Sequence, residues 1–164
     1  MIATDDDELD SFWALAREHA DLAGVPVYTG VNPVRALRPP AWAFGATPEQ
    51  ADELLALVLD GTKTATASSF ADYATEGEDP PVPGTLSIVL DGAGHPRALV
   101  VTTDVRTVPF DEVDADHAWE EGEGDRSLEH WRAVHERFFG EYASGFRPDM
   151  PVLLERFRLL YPVT

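Results

Sequence analysis

Apolar residues in the first part of the chain recur three or four positions apart, which is the spacing of amphipathic helices. Residues 4–23 carry such a stripe behind an acidic first turn, and we predict a leading helix there. Residues 24–41 are rich in proline and glycine, which predicts a linker. A second helix is predicted to begin at Thr47, which is followed by a proline and then by a glutamine, and to end at Gly61.

Beyond Gly61 the apolar and polar positions alternate, and this period of two predicts β-strands. We expect strands over residues 62–70, 85–90 and 98–108, with an acidic loop over residues 71–84. An Asp-Gly-Ala-Gly turn follows the second of these strands, so the second and third strands are predicted to form a hairpin.

The last part of the chain combines two helical segments with a closing strand. A short helix is predicted over residues 115–121, a longer one after Ser127, and a strand over residues 150–161. The order of elements predicts an α+β fold, built on a small β-barrel flanked by helices. We divide the chain into an N-terminal helix and linker, residues 1–41, and a main domain, residues 42–164.

Charge and composition narrow the classes of function. The 164-residue chain has a formal net charge of -18, which repels polyphosphate and argues against DNA or a broad footprint on long RNA. It contains no cysteine, which excludes disulfides, thiolate metal sites and a cysteine nucleophile. No apolar run approaches the ~20 residues that span a bilayer, and the acidic N-terminus is unlike a secretion signal. We therefore expect a soluble, cytoplasmic protein of one main domain.

Lys63 is the only lysine among twelve basic residues, the other eleven being arginine. A desolvated lysine amine can lose its proton and act as a base or nucleophile, whereas a guanidinium stays charged. Lys63 lies in a hydroxyl-rich stretch that includes Thr64 and Thr66, so a hydroxyl nucleophile beside a lysine base is one interpretation. The alternatives are a surface lysine after a helix and an ordinary threonine-rich strand, on which Lys63 and Thr66 would face opposite ways.

Three further features could belong to a site. The Glu-Glu-Gly-Glu-Gly-Asp segment before Ser127 could supply a general acid or base, or could be a solvated loop, with Ser127 as the N-cap of the next helix. Trp42 and Phe44 could stack on a base or simply pack in the core. Glu155 has inward strand parity and is expected to pair with a cation, for which the candidates are Lys63, Arg126 and Arg97. The histidine spacing shows no zinc cluster, so we predict no metal and no cofactor.

Several short blocks, in this order, resemble the ASCH-domain family, whose barrel-type proteins are related to PUA RNA-binding domains. The resemblance covers residues 42–161 and rests most on the Gly-Thr-Lys-Thr-Ala-Thr element, residues 61–66, joined to the Glu-Gly-Glu-Gly-Asp block, residues 121–125. The remaining blocks are residues 42–45, 51–54, 83–84, 109–113 and 155–157.

The resemblance implies a small barrel with a cleft that acts on RNA or its components. One branch of the family hydrolyses the amide of N(4)-acetylcytidine with a lysine, a threonine and a glutamate, and the matching positions here are Lys63, Thr66 and Glu121. Other relatives are linked to RNA cleavage. We expect the substrate to contact the following residues: Trp42, Phe44, Thr64, Asp125, Arg126 and Ser127.

The leading hypothesis is therefore an amidohydrolase that acts on an acylated nucleoside, without a cofactor. In it Lys63 takes a proton from Thr66, Thr66 attacks the acyl carbon, and Glu121 shuttles protons. A nucleoside lacks phosphate and so escapes the repulsion of an acidic protein. The alternatives are a non-catalytic module that binds RNA or a nucleotide, and a ribonuclease that would need Lys63, Arg126 and Arg132 to form one basic patch. No membrane or DNA partner is expected, and the sequence does not indicate an oligomeric state.

Overall fold

The computed structural model describes residues 4–20 and 37–163, which form five helices and a five-stranded sheet. The elements, in chain order, are α1 (Asp6–His19), β1 (Ala41–Trp42), α2 (Pro48–Leu59), β2 (Ala65–Ser69), α3 (Phe70–Glu76), β3 (Leu86–Leu90), β4 (Pro96–Pro109), a 3-10 turn (Phe110–Glu112), α4 (Ala115–Glu121), α5 (Leu128–Tyr142) and β5 (Pro151–Tyr161). The predicted α+β class is confirmed. None of the described helices is both long enough and apolar enough to cross a membrane.

The sheet has the strand order β1-β3-β4-β5-β2, in which β1 runs parallel to β3 and all other neighbours are antiparallel. The long strands β4 and β5 form its centre, and two register shifts in their pairing bend the sheet. Among the described residues β1 and β2 do not pair with each other, so the sheet is open and the predicted closure into a barrel is not found. One reason is that β1 has only two residues, too few to carry a second ladder.

The helix starts follow from side chains that accept hydrogen bonds from the first free backbone amides. The hydroxyl of Thr47 accepts a hydrogen bond from the amide of Gln50, and the side-chain oxygen of Gln50 accepts one from the amide of Ala46. This reciprocal pair confirms the predicted start of α2. At the other end of α2, Gly61 has a φ of 85°, a left-handed conformation that favours glycine and stops the helix.

Helix α1 packs directly on the sheet. Its buried residues Leu9, Trp13 and Ala16 join a core cluster with strand residues that include Ile88 and Leu99. The predicted helix is thus found, although it ends at His19 rather than near residue 23. Most of the predicted linker, residues 21–36, lies outside the described residues.

Two elements differ from the sequence prediction. The predicted acidic loop contains α3, a helix without a fully buried residue and therefore without the apolar stripe that identifies helices in a sequence. The two-residue strand β1 begins at Ala41, the last residue of the predicted linker, where proline content argued against pairing. The predicted strands β3, β4 and β5 and the helices α4 and α5 are present at positions close to those expected.

Candidate functional site

The segment between α2 and β2 places Lys63 in the protein interior. After α2 ends, the backbone amide of Thr62 donates to Oδ1 of Asp60 and the amide of Lys63 donates back to the carbonyl of Leu57. This tight turn directs the chain under the end of the helix instead of out into solvent. As a result the Lys63 side chain is only 1% exposed.

The amine of Lys63 lies among oxygen atoms. Nζ donates to the carbonyl oxygen of Ala65 at 2.9 Å and lies 3.4 Å from Oε1 of Glu121 and 3.5 Å from Oε2 of Glu123. It also lies 5.3 Å from the centre of the Phe44 ring. Two carboxylates and a carbonyl therefore satisfy a buried charge that would otherwise be strongly unfavourable.

Glu121, at the end of α4, is enclosed by donors. Nε2 of His117, one helical turn earlier, lies 2.7 Å from Oε2, which also accepts a hydrogen bond from the indole of Trp131. Oε1 faces Lys63 and, at 3.5 Å, Nε2 of His135. Burial alone would raise the pKa of Glu121, but the positive charges of His135 and Lys63 and the hydrogen bond from His117 hold it well below its usual value.

Helix α5 supplies two of these groups, because Trp131 and His135 are one turn apart on its buried face. Nδ1 of His135 donates to the carbonyl of Trp131 at 2.9 Å, so its Nε2 faces Glu121. Burial lowers the pKa of His135, but the adjacent Glu121 outweighs this and the net shift is upward. The sequence analysis did not identify Trp131 or His135 as site residues. Their i, i+4 spacing was the available signal.

The glycine-containing loop after α4 permits the close approach of α4 to the Lys63 segment. Gly122 has a φ of 75°, and a Cβ there would lie 2.8 Å from the carbonyl oxygen of Thr62. The amide of Thr64 donates to the carbonyl of Glu120 at 2.8 Å across the same junction. Glycine at position 122 therefore allows the two backbone segments to pack closely, and this packing brings Glu121 to Lys63.

Glu123 is the more accessible of the two carboxylates near Lys63. Its side chain is 21% exposed, against 2% for Glu121. Burial raises its pKa, the charge of Lys63 opposes that shift, and neighbouring Glu121 adds to it. A carboxyl group in this position can exchange protons both with the amine and with solvent.

The same carboxylates raise the question of a metal ion. Glu121, Glu123 and His135 offer ligand atoms within 4.8 Å of one another, the one such group in the described part of the chain. Nζ of Lys63 already lies within 3.5 Å of both carboxylates. A cation bound there would have to displace the lysine amine, so the donor set suits an ammonium group better than a metal.

Thr66 lies in β2, an edge strand of the sheet. The amide of Phe157 donates to the carbonyl of Thr64, so in an antiparallel ladder the carbonyl of Ala65 points to the free edge of β2. The Lys63 amine binds that carbonyl and therefore lies beside the strand edge, one residue before Thr66. The hydroxyl of Thr66 is hydrogen-bonded to none of the described residues.

Directly opposite Thr66 in the β2–β5 pairing is Glu155. Its carboxylate accepts a 2.6 Å hydrogen bond from the hydroxyl of Thr102, and burial raises its pKa against the opposing effect of that bond. None of the described cations forms an ion pair with it, so the predicted cationic partner is not found. Arg97 pairs with Asp91 instead, and Arg126 binds the carbonyl of Trp119.

Of the other residues that were predicted to contact substrate, Phe44 and Thr64 lie near Lys63, whereas Asp125, Arg126 and Ser127 make local contacts at the start of α5 and with α4. Phe44 is buried between Trp42 and Phe157, with ring centres at 4.8 and 6.1 Å, which favours a packing role. Ser127 caps α5, and Asp125 accepts a hydrogen bond from the amide of Ser127. Arg126 stacks on the ring of Trp119 at 3.7 Å. Thr64, which is exposed, lines together with Lys63 a cleft of about 230 Å³ between the end of α2 and β5.

The chain is similar in sequence and in fold to known proteins. The family model of the ASCH domain matches residues 40–161. A crystal structure of a protein from Enterococcus faecalis, described under the family model DUF984, is 32% identical with a TM-score of 0.75 over 93% of this chain and 88% of that chain. The crystal structure of an ASCH domain from Lactobacillus crispatus is 28% identical with a TM-score of 0.77 over 95% of this chain and 96% of that chain. No curated protein matches the chain.

Lys63, Glu121 and the side chains that contact them form a buried cluster. The family model matches both the segment that carries Lys63 and the segment that carries Glu121. The two similar crystal structures extend the likeness over 93% and 95% of the chain. The chain therefore belongs to the ASCH domain family.

Proposed function

We propose that this protein is a hydrolase that removes the acyl group from the amide nitrogen of a modified nucleoside. The observation that carries the proposal is the buried amine of Lys63, which binds the carbonyl of Ala65, the residue before Thr66, at the free edge of β2 and lies 3.4 Å from Glu121. A buried lysine at the edge of a strand whose next residue carries a hydroxyl, with no partner among the described residues, supports a base and its nucleophile.

In the proposed first step the Thr66 hydroxyl attacks the acyl carbon while its proton passes to Lys63 in the amine form. The amine form requires that the lysine first give up a proton. Oε2 of Glu123, 3.5 Å from Nζ, is positioned to accept it, and the partial exposure of Glu123 gives that proton a route to solvent.

In this mechanism Glu121 positions Lys63, whereas the sequence analysis expected it to transfer protons. Its four donors and 2% exposure leave it without an oxygen that could reach a substrate. Its contacts support a positioning role, in which the carboxylate fixes the amine of Lys63 at the edge of β2. A direct proton transfer by Glu121 stays a prediction.

The charge distribution supports a small substrate without phosphate. Beside the net charge of -18, the arginines near the site are engaged: Arg156 pairs with Glu120 at 2.6 Å and Arg126 binds backbone carbonyls. Arg132 binds the carbonyls of Asp111 and Val113. The basic patch that a ribonuclease would need is therefore not supported, whereas a neutral nucleoside would meet no repulsion.

The test is hydrolysis of a panel of acylated nucleosides, headed by N(4)-acetylcytidine, followed by chromatography. Thr66→Val removes the hydroxyl with little change of shape and is expected to reduce turnover to background. Lys63→Arg is expected to lower kcat by about 10²–10⁴-fold, the usual contribution of a general base. Because an arginine must fit a buried position, thermal unfolding of that variant is measured alongside.

Thr107→Val, an exposed threonine on β4, is the matched control and is expected to retain full activity. If Thr66→Val hydrolyses a substrate of the wild type at a similar rate, Thr66 is not the nucleophile. If wild type turns over no member of the panel but binds a nucleoside or nucleotide, the protein is a binding module rather than a hydrolase.

A further inference from the structure

Glu155 is a buried carboxyl group on the same face of the sheet as Thr66. The two residues are direct partners in the antiparallel pairing of β2 and β5, and alternate hydrogen bonding makes them a hydrogen-bonded pair. Side chains of such a pair lie on one face with Cβ atoms about 5 Å apart. Glu155 is 9% exposed and Thr66 is half-buried, so a ligand that reaches Thr66 also reaches the edge of this carboxyl group.

We propose that Glu155 is the acid that protonates the leaving nitrogen when Thr66 attacks the acyl group. The inference rests on the function proposed above and adds a catalytic residue to it. In the subsequent step the resulting carboxylate acts as the base that activates water.

The surroundings of Glu155 suit a carboxyl group that carries a proton. Its Oε1 accepts from the hydroxyl of Thr102, itself 2% exposed, and Oε2 has no hydrogen bond from any described residue. In the absence of a nearby cation among the described residues, burial disfavours the ionised form and raises the pKa of the group. Glu155 therefore differs from Glu121, whose carboxylate is held ionised by positive neighbours.

The groups packed around Glu155 are few in the described part of the chain. Strand β4 contributes Thr102 and strand β2 contributes Thr66. On helix α3 the hydroxyl of Tyr73 binds Ser68, two residues after Thr66, at 2.8 Å. Burial raises the pKa of Tyr73, and the hydrogen bond with Ser68 opposes that shift. With its pKa raised, the Tyr73 phenol stays uncharged at neutral pH.

The proposed reaction consists of acylation of Thr66 followed by hydrolysis of the threonine ester. Thr66 Oγ bonds to the acyl carbon as its proton moves to the Lys63 amine, the carbon–nitrogen bond breaks, and the nitrogen takes the proton of Glu155. Water then attacks the threonine ester while giving a proton to the Glu155 carboxylate. The ester bond breaks, and Thr66 Oγ recovers its proton from the Lys63 ammonium, which restores the enzyme and releases the acid.

The experiment compares an amide with an activated ester in wild type and in Glu155→Gln. On N(4)-acetylcytidine the variant is expected to lose about 10²–10⁴ in kcat, because the nitrogen cannot leave without a proton. On p-nitrophenyl acetate the leaving phenolate needs no acid, so the variant is expected to give a normal burst of p-nitrophenolate. Slow turnover should follow that burst, since the base for water is also gone.

Glu136→Gln, the same substitution at an exposed glutamate on α5, is the control and is expected to leave both reactions within twofold of wild type. The inference is overturned if Glu155→Gln hydrolyses the amide at the wild-type rate, or if it loses the ester burst together with the amide reaction. If wild type itself hydrolyses neither substrate, the proposed function fails first. That result is distinct, since it does not depend on any variant.

Discussion

The carboxylate of Glu121 receives hydrogen bonds or charge from His117, Trp131, His135 and Lys63 in a site that excludes solvent. Removal of one partner from a buried ion pair leaves an uncompensated charge, which costs about 3–5 kcal/mol. We therefore expect Glu121→Gln to lower the free energy of unfolding by that amount in urea denaturation, because an amide would also present its NH₂ group to donors.

The neighbouring residue gives a matched comparison. Glu120 pairs with Arg156 at 2.6 Å, but both side chains are partly exposed to solvent. Surface pairs of this kind contribute about 0–1 kcal/mol. Glu120→Gln should therefore stay within that range, and a loss as large as that of Glu121→Gln would contradict the special place given to the buried cluster.

Single residues are easier to find in the sequence than their partners. Lys63 is conspicuous as the only lysine, and the family resemblance pointed to Thr66 and Glu121. Glu123 and His135 could not be assigned, because their contacts with Lys63 and Glu121 depend on how α4 and α5 pack against β2. The cation expected for Glu155 was not found among the described residues, and its carboxyl group accepts a hydrogen bond from the Thr102 hydroxyl instead.

Among the elements, helices α3 and α4 end alike, each at a glycine in the left-handed conformation, yet only one of these glycines touches the site. Gly77 has a φ of 68°, and a Cβ added there would meet no atom within 4 Å, whereas a Cβ on Gly122 would press on Thr62. Gly77→Ala should cost only the conformational penalty, about 1–2 kcal/mol.

Gly122→Ala should cost more than Gly77→Ala and should also reduce activity on the acylated nucleoside, because α4 must shift away from the Lys63 segment. Urea denaturation and steady-state kinetics on both variants check this. Equal stability losses together with unchanged activity in Gly122→Ala would show that the close approach is not needed.

Local signals predicted most elements correctly. The Thr47 cap, Gly61 and the alternation in β3 are properties of neighbouring residues, so they could be interpreted without the fold. Helix α3 could not be predicted, because it has no buried stripe and is tethered through the Tyr73–Ser68 hydrogen bond. The two-residue strand β1 exists only because β3 lies beside it.

In the molecule as a whole, an open, bent sheet carries α1 on one part of its surface and the α4–α5 pair at the edge of β2. The sequence predicted the α+β class but also a closed barrel. Closure would require the edge strands β1 and β2 to pair, and the pattern of apolar residues within a strand does not show whether two distant strands pair. The net charge of -18 is spread over a surface that would repel polyanions, which agrees with a small neutral substrate.

The proposed mechanism requires that Thr66 become acylated during turnover, and mass spectrometry can detect that intermediate. Wild type is mixed with N(4)-acetylcytidine, quenched in acid during the reaction, and digested for peptide mapping. We expect a mass gain of one acetyl group on the peptide that contains Thr66, and no such gain in Thr66→Val. Turnover without any acylated residue, or with the acyl group on Lys63, would contradict the mechanism.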